Sequence, residues 1–600
     1  KLYCLTDLLL FALATVLLLL LLSIIFVITL KSQQVGVMDF NDVRARIGSN
    51  YLFQDPSLGM PRYEIPKGSG SHTFYAAALW LAGKDQGTIK SNANTYYNAG
   101  QPIAGPIMNS NLYSTEGASW DKIWSIECSE IAEFVSWYNC SQDPGCNENA
   151  LYPGYQIPQI IINWPGNGDV SKGQAAKLAP FYDRNNDGIY NPTTDGDYPL
   201  IKGDAAIFFM YNDERPVFAG TSTRSPMKTE VHGMIYTFAT NDVINQTVFL
   251  DYKVYNRSST NYTDCYIGFW ADFDLGRYDD DYIGSDVDRN SFYVYNGDNN
   301  DEGGSGVISY GSNLPAQSVT ILKGPKLDDD GTDNAFGVGT NESVNGIGFD
   351  DGIDDNEYWG LEHFMYYNSG GGFQGDPSTD QDFYNYLSGK WLNGSSLTYG
   401  GTGFGGTTPS KYAYPANSDT YSYGTGGLPQ SNWSEVGLAN FPDDRKGVGS
   451  SGPFTLPAGE STEIEMAFVF GQDMTGSGNL AGVAVMQENV DFIKNFYTNA
   501  NQIPYCLGNS NPTGIESQET NYSKNLYTFP NPVSNEINIK YNSKSANSFL
   551  EIHNLLGEKL YNQKLTQTTT IIDIESYSKG IYLITIIDGN QKTSAKVIKQ

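Results

Sequence analysis

Two stretches of the chain repeat an apolar side chain at every second residue, and this pattern constrains the fold strongly. They are QTVFLDYKVYN at 246–256 and STEIEMAFVF at 461–470. Their alternating apolar residues are Val248, Leu250, Tyr252, Val254, Ile464, Met466, Phe468 and Phe470. A period of two is that of a β-strand with one face in a core. The pattern therefore predicts sandwich strands whose polar residues, among them Asp251, Glu463 and Glu465, lie on the outer face.

The composition also indicates a β-rich fold. The chain has 600 residues, including 64 Gly and 42 Tyr, and 40% of it is hydrophobic. This fraction is too high for a disordered chain, and Tyr and Gly favour strands and turns over helices. Because one core stops growing near roughly 250–300 residues, we expect at least two domains. The predicted fold class is mainly β, with a large β-sandwich-type body that carries long calcium-type loops.

Charge separates the end of the chain from the rest. Residues 526–600 hold eight Lys and six acidic residues, a net charge of +2, whereas the whole chain carries −31 and the remainder therefore −33. This step predicts a boundary between an acidic β-rich body at 34–506, of one or two subdomains, and a C-terminal domain. Residues 507–525, which have few apolar side chains, are predicted to be a linker. The large negative charge of the body disfavours nucleic acid as a partner and favours divalent cations.

The C-terminal domain at 526–600 contains seven short strand patterns separated by turn residues. Such spacing predicts a small immunoglobulin-like β-sandwich. At the other end, residues 8–30 are 23 uncharged residues behind Lys1. A run of this length is long enough to cross a bilayer, so residues 1–33 are predicted to be a signal peptide or a membrane segment.

Two further segments of the body have their own patterns. After Asn479, a residue type that caps helices, apolar residues recur at steps of three and four and predict a helix that packs on a sheet. These residues are Leu480, Val483, Met486, Val490, Ile493 and Phe496. Residues 395–430 are rich in Gly, Ser, Thr and Tyr, and are predicted to be a long surface loop.

Three of the six cysteines, Cys128, Cys140 and Cys146, are close in sequence. Their proximity predicts one local disulfide in an oxidising compartment. Because five cysteines remain after Cys4 is set aside, at least one thiol is expected to stay free or to pair elsewhere. A second Cys or His pair at zinc-ligand spacing is absent from the sequence, which disfavours a zinc site.

The stretch DRNNDGIYNPTTDGDYP at 183–199 resembles the first half of a calcium loop. Oxygen ligands at alternate positions can converge on one ion, and Gly188 permits the sharp turn between them. Thr194 stands where a helix-loop-helix calcium site has Glu, and Pro192 disfavours a following helix. The predicted ligands are Asp183, Asn185, Asp187, the backbone of Ile189, Asp195 and Asp197. The alternative is an Asp/Asn turn solvated by water.

Acidic clusters also occur at 272–290, 298–302 and 350–357. Crowded carboxylates repel one another unless a cation neutralises them, so we expect one or two more calcium sites here. The candidate ligands in the first cluster are Asp272, Asp274, Asp279 and Asp286. The alternative is that these clusters are solubilising loops.

No catalytic motif stands out in the sequence. It lacks the HExxH pattern of zinc proteases and the GxSxG pattern of many hydrolases. Gly401, Gly403 and Gly406 fit GxGxxG, but no strand and helix frame them, so nucleotide binding is not indicated. A glycoside hydrolase needs only two carboxyl groups at the right separation, and it remains the alternative to a non-catalytic body.

The C-terminal domain resembles the type A C-terminal sorting domain of the Bacteroidetes type IX secretion system. The matching pieces are PNP at 530–532, NLLGE at 554–558, SKGIYLITI at 578–586 and KVIK at 596–599. The resemblance implies export through the periplasm to the outer-membrane surface or the extracellular space. It also implies, as partners, the type IX translocon and its sorting machinery, with surface lipopolysaccharide or extracellular glycan as further candidates.

The body is similar to large secreted passengers of the same bacteria to which no activity is assigned. The matching pieces include PKGSGSHTFYAAALWLAG at 66–83, FWADFDLG at 269–276 and GLEHFMYYN at 360–368. Together these observations predict an exported protein with a calcium-stabilised, non-catalytic body used for adhesion, binding or surface structure.

Overall fold

A computed structural model describes most of the body and the strands of the C-terminal domain. The described residues are 35–96, 102–214, 226–304, 306–335, 346–499, 503, 505–508, 526–529, 533, 535–541, 548–554, 559–565, 569–588 and 591–599. The predicted signal or membrane segment at 1–33 and most of the predicted linker lie outside them. The chain divides into two compact units, 1–513 and 514–600.

The prediction of a mainly β fold is confirmed, and the strands form several antiparallel sheets. The strands of the first unit are β1 Val35–Met38, β2 Arg44–Gly48, β3 Gln54–Asp55, β4 Met60–Pro61, β5 Tyr63–Glu64, β6 His72–Asp85, β7 Thr88–Asn92, β8 Ile103–Ala104, β9 Trp124–Glu127, β10 Phe181–Tyr182, β11 Tyr198–Pro199, β12 Ala205–Asn212, β13 Thr229–Thr237, β14 Thr247–Asn256, β15 Tyr262–Phe273, β16 Asp281–Asp286, β17 Ser291–Asn296, β18 Pro315–Lys323, β19 His363–Asn368, β20 Arg445–Leu456 and β21 Ser461–Gln472. Its α-helices are Tyr113–Trp120, Cys128–Gln142, Glu148–Leu151, Gln159–Ile162, Asp380–Leu387, Glu435–Leu438 and Asn479–Asn499.

Two large sheets form the centre of this unit. One has the strand order β1-β2-β5-β6-β15-β20-β19, with β7 beside β6. The other has the order β16-β17-β18-β21-β14-β13-β12-β8, with β9 beside β12. Neighbouring strands in both sheets are antiparallel, so the end of one strand lies beside the beginning of the next.

The main core lies between the two sheets. Leu79 and Phe269 of the first sheet belong to one buried cluster with Val248, Ile464 and Phe468 of the second. The alternation found in the sequence therefore does mark the residues that face this core. Buried aromatic rings fill much of it; for example, Phe269 and Phe468 have ring centroids 5.3 Å apart.

The second sheet also carries a core on its other face. Phe249 of β14 and Val469 of β21 belong to a separate buried cluster with residues of the helices at 128–142 and 479–499. This layer corrects the expectation that Glu465 points outward, because Glu465 is only 3% exposed. Its carboxylate and that of Asp251 each lie 3.0 Å from the buried Nζ of Lys202.

The predicted helix after residue 479 is present and packs on β18 and β21. Val483, Met486, Val490 and Ile493 are buried there, as the spacing predicted, whereas Leu480 is exposed. Residues 395–430 form turns and a short 3-10 helix, as expected of a loop, and many of them are exposed, but the segment does not lie wholly on the surface. Its Leu397, Tyr412, Tyr414 and Tyr423 are buried in the main core, which is why an irregular segment is so rich in Tyr.

The five cysteines within the described residues form two disulfides and leave one thiol free. Cys140 pairs with Cys146, which confirms the predicted local bridge. Cys128 pairs with Cys506 across 378 residues, so it ties the beginning of one helix to the end of the described body. Cys265 is free and buried.

The C-terminal unit has the seven strands expected from its sequence: β22 Leu526–Phe529, β23 Glu536–Tyr541, β24 Ser548–Asn554, β25 Lys559–Lys564, β26 Thr569–Asp573, β27 Gly580–Asp588 and β28 Gln591–Lys599. They form a three-stranded sheet, β22-β23-β26, and a four-stranded sheet, β25-β24-β27-β28. Ile537, Ile539, Leu550, Ile552 and Ile584 are buried in its core. Across the described part of the whole chain, no helix is long and apolar enough to cross a membrane.

Candidate functional site

Three carboxyl groups meet where β15 ends and β20 begins. Asp272 lies near the end of β15, and Asp274 follows that strand directly. Because β15 and β20 are antiparallel, Asp272 is paired with Lys446 at the start of β20. This register places Asp444, just before β20, beside the two aspartates.

Carboxylate oxygens of Asp272, Asp274 and Asp444 all lie within 4.8 Å of one another. Among the described residues, this is the one set of three or more acidic, His or Cys side chains with such a separation. The set borders a pocket of about 400 Å³. The pocket is lined by Gln54, Gly59, Pro61, Tyr75, Tyr96, Asp272, Asp274, Gly276, Tyr278, Gly304, Val307 and Asp444.

Polar contacts fix two of the three carboxylates. The hydroxyl of Tyr96 donates to Asp272 Oδ2 at 2.8 Å. Lys446 Nζ lies 3.3 Å from Asp272 Oδ1 and 2.7 Å from Asp444 Oδ1. Asp274 has no ion-pair partner among the described residues, so it is the member of the set whose charge is least compensated.

Burial and the repulsion between like charges both affect the pKa values of these aspartates. Burial raises the pKa of Asp274 well above its usual range, and the charges of Asp272 and Asp444 raise it further, while Lys446 opposes them. Burial also raises the pKa of Asp272, against the effect of Lys446. The site therefore favours a bound cation or proton and disfavours an anionic group.

The sequence predicted Asp272 and Asp274 but missed Asp444 and Lys446. The only sequence signal for the missing pair was an acidic run, Asp443 and Asp444, directly before a strand. The remaining two candidates of the cluster lie elsewhere. Asp279 forms an ion pair with Arg277. Asp286 is buried, lies 3.1 Å from Arg289 Nη1 and accepts a hydrogen bond from Gln487.

The loop at 183–197 is closed at its base by the paired strands β10 and β11. Asp183 accepts hydrogen bonds from the backbone N–H groups of Asp187 and Gly188. Asp197, fully buried, accepts from those of Arg184 and Asn191. These bonds turn the carboxylates at both ends of the loop inward.

The other predicted ligands of this loop are more exposed. Asn185 and Asp187 are exposed, as is the side chain of Ile189, and Asp195 is half-buried. Burial raises the pKa of Asp197, and the charges of Asp183 and Asp195 add to this effect. Calcium binding by this loop fits the donor set and stays a prediction.

Residues 527–600 match the family profile of the secretion system C-terminal sorting domain. This match covers the seven-stranded unit and bears out the resemblance seen in its sequence. The protein is therefore exported to the cell surface or the extracellular space, and its C-terminal domain interacts with the type IX secretion machinery.

The comparisons give no function for the body. No curated protein matches the chain. Among solved structures, a polysaccharide lyase aligns with 7% sequence identity and a TM-score of 0.18. The alignment covers 64% of this chain and 36% of the lyase, so this chain spans about a third of that protein. A TM-score this low carries no inference about fold or activity.

Proposed function

We propose that the exported protein has a calcium-stabilised, non-catalytic body that binds a ligand at the cell surface. The observation that carries this proposal is the arrangement of Asp272, Asp274 and Asp444 on the wall of a pocket of about 400 Å³. The resemblance of the body to large secreted passengers is not borne out by the comparisons and assigns no activity.

The separation of the three carboxylates suits a calcium ion. Calcium binds oxygen ligands at about 2.3–2.6 Å, so two ligands of one ion lie at most ~5 Å apart. The oxygens of Asp272, Asp274 and Asp444 are within 4.8 Å of one another and meet this condition. Calcium takes about 6–8 oxygen ligands, so three carboxylates leave positions open for a ligand that enters from the pocket.

The pocket lining suggests the class of ligand. The rings of Tyr75, Tyr96 and Tyr278 line it together with the three carboxylates. Tyrosine rings pack against the apolar faces of sugars, and hydroxyl groups are hard oxygen ligands for calcium. We therefore favour an extracellular glycan or the sugar part of surface lipopolysaccharide as the partner of the body.

Calcium should raise the melting temperature of the purified full-length protein, and chelation should lower it. In the variant Asp274→Asn, the calcium-induced rise should be reduced or lost, because one ligand is neutral. Without calcium the same variant should melt at or above the wild-type temperature, because a poorly compensated charge is removed. Differential scanning fluorimetry measures both effects.

Asp264→Asn is the matched control, since Asp264 is 52% exposed and pairs with Lys84 outside the pocket. It should retain the full response to calcium. Identical melting curves of the wild type with calcium and with chelator would contradict the proposal.

A secreted glycoside hydrolase is the second candidate function. It is favoured by one observation: Asp274, whose pKa is raised, faces the pocket beside Asp444 and Asp272. A glycosidase uses one protonated carboxylic acid as the proton donor and a second, ionised carboxylate as the base or nucleophile. Turnover of a glycan panel in the presence of chelator, abolished by Asp274→Asn, would favour the hydrolase over the calcium-dependent binding protein.

A further inference from the structure

A buried lysine lies beside the three carboxyl groups of the pocket. Lys446 is 0% exposed, and it stands opposite Asp272 of β15 on one side and Tyr367 of β19 on the other. Side chains directly opposite each other in neighbouring strands lie on the same face of the sheet. The pairing of the strands therefore brings the ammonium group of Lys446 next to the pocket carboxylates.

Three oxygens contact this ammonium group. Lys446 Nζ lies 3.3 Å from Asp272 Oδ1, and it donates to Asp444 Oδ1 at 2.7 Å and to Ser369 Oγ at 2.8 Å. A lysine ammonium has three N–H donors and no acceptor, so this environment suits its charged form. Lys446 thus occupies a cation position between two of the three carboxylates.

The same two carboxylates keep capacity for a further cation. Tyr96 donates to Asp272 Oδ2 at 2.8 Å, and Ser369 donates to Asp444 Oδ2 at 2.9 Å. A carboxylate oxygen that contacts one donor keeps a second lone pair. Asp272 Oδ1 is buried and makes no hydrogen bond, although Lys446 Nζ lies within ion-pair distance. This oxygen points to a ligand that the described residues do not supply.

The charge of the set limits which ion it can hold. Three carboxylates and one ammonium carry a net charge of −2. One divalent ion neutralises this charge, whereas a trivalent ion would leave an uncompensated positive charge in a partly buried site, which is costly. Without Lys446 the three carboxylates would carry −3 and would match a trivalent ion.

We propose that Lys446 determines the charge selectivity of the pocket site by serving as its permanent monovalent cation, so that the site takes one divalent ion. This inference rests on the proposed calcium site and deepens it, because it names the residue that matches the site to the charge of calcium. The loaded site is then neutral, which agrees with a partner that binds the ion through the uncharged hydroxyl groups of a sugar.

The size of the effect follows from Coulomb's law. Calcium lies about 2.3–2.6 Å from its oxygen ligands. Because Lys446 Nζ lies 2.7 Å from Asp444 Oδ1, an ion that shares this oxygen is at most ~5.3 Å from Nζ. Even at the dielectric constant of water, repulsion over this distance changes binding about fourfold for each unit of charge on the ion. Removal of the lysine charge should therefore favour a trivalent over a divalent ion.

The test measures terbium and calcium binding to the full-length protein, by terbium luminescence and by displacement of terbium with calcium. The two ions are similar in size and both prefer oxygen ligands, so the ratio of their dissociation constants reports mainly the charge of the site. The pocket ion is the one that is lost in Asp274→Asn. In Lys446→Met, prepared in calcium, the ratio should shift toward terbium by at least about fourfold. Lys446→Gln is a second variant and should shift the ratio in the same direction.

Lys323→Met is the matched control, since Lys323 is also buried and pairs with Glu463 in the other large sheet. It should keep the wild-type ratio. An unchanged ratio in both Lys446 variants, while Asp274→Asn still loses an ion, would overturn the inference and leave the calcium site standing. If Asp274→Asn binds as many ions as the wild type, the pocket holds no ion and both proposals fail.

Discussion

Lys202 and His72 show two ways in which this body buries an ionisable side chain. Burial alone would lower the pKa of Lys202, but the charges of Asp251 and Glu465 raise it well above its usual value, so the lysine stays charged. His72 is 9% exposed, and its ring Nδ1 has no partner. Burial lowers the pKa of His72 to about 4, and the charge of Arg62 acts in the same direction against that of Glu64. His72 is therefore neutral in the folded protein at neutral pH.

His72 should make the body less stable in acid. An unfolded histidine has a pKa near ~6.5, so between about pH 6.5 and pH 4 only the unfolded chain binds this proton. The stabilising contribution is therefore complete above that window and is lost as the pH falls through it. We expect the free energy of unfolding to fall by about 1.4 kcal/mol per pH unit more in the wild type than in His72→Gln.

Urea unfolding followed by tryptophan fluorescence measures this difference, because all nine Trp residues belong to the body. His553→Gln, in the C-terminal unit, is the control and should keep the wild-type slope. Equal slopes in the wild type and His72→Gln would contradict the prediction.

At the scale of elements, the helix Cys128–Gln142 is fixed at its start and close to its end. Glu127 and Glu130 form a capping box at its beginning. Cys128 is bonded to Cys506, and Cys140 near the end of the helix is bonded to Cys146. The helix thereby forms part of the layer that buries the outer face of the second sheet.

The two disulfides should differ in their effect on stability. The loop closed by Cys128 and Cys506 spans 378 residues, and that closed by Cys140 and Cys146 spans six. On the chain-entropy account, the long bridge contributes about 6 kcal/mol and the short one about 2 kcal/mol. The double variant Cys128→Ser/Cys506→Ser should therefore unfold at clearly lower urea concentration than Cys140→Ser/Cys146→Ser. The reverse order would show that the long loop is already restricted in the unfolded chain.

The sequence predicted the strands and their core-facing residues better than it predicted what packs against each strand. The alternation in β14 and β21 identified the residues of the main core, because a strand places every second side chain on one face. It could not show that helices cover the opposite face, which is why Glu465 was wrongly assigned to the outside. Asp272 and Asp274 were found because they lie in an acidic cluster of the sequence, whereas Asp444 comes close to them only through the pairing of β15 with β20.

At the scale of the whole molecule, the chain combines a body of −33 with a sorting domain of +2, given the total of −31. The sorting domain has its own core and its own two sheets. The sorting signal therefore resides in a compact unit separate from the body.

Deletion of residues 527–600 should leave a folded body that no longer reaches the surface. The body should accumulate in the periplasm, because the matched sorting domain is removed while the cores of the first unit are unaffected. Cell fractionation, with protease shaving of intact cells, measures the location. A tail variant with Ile584→Asp, which disrupts the core of the sorting domain, is a second test. Surface exposure of the truncated body would contradict the assignment of export to this domain.

The bond between Cys128 and Cys506 also sets an order of events during biogenesis. Cys506 comes after all the strands of the body, so this covalent closure must wait until almost the entire body has been made and has met an oxidising environment. The sorting domain at 527–600 follows Cys506 in the chain. A chain that ends before residue 506 would therefore lack both this disulfide and the sorting domain.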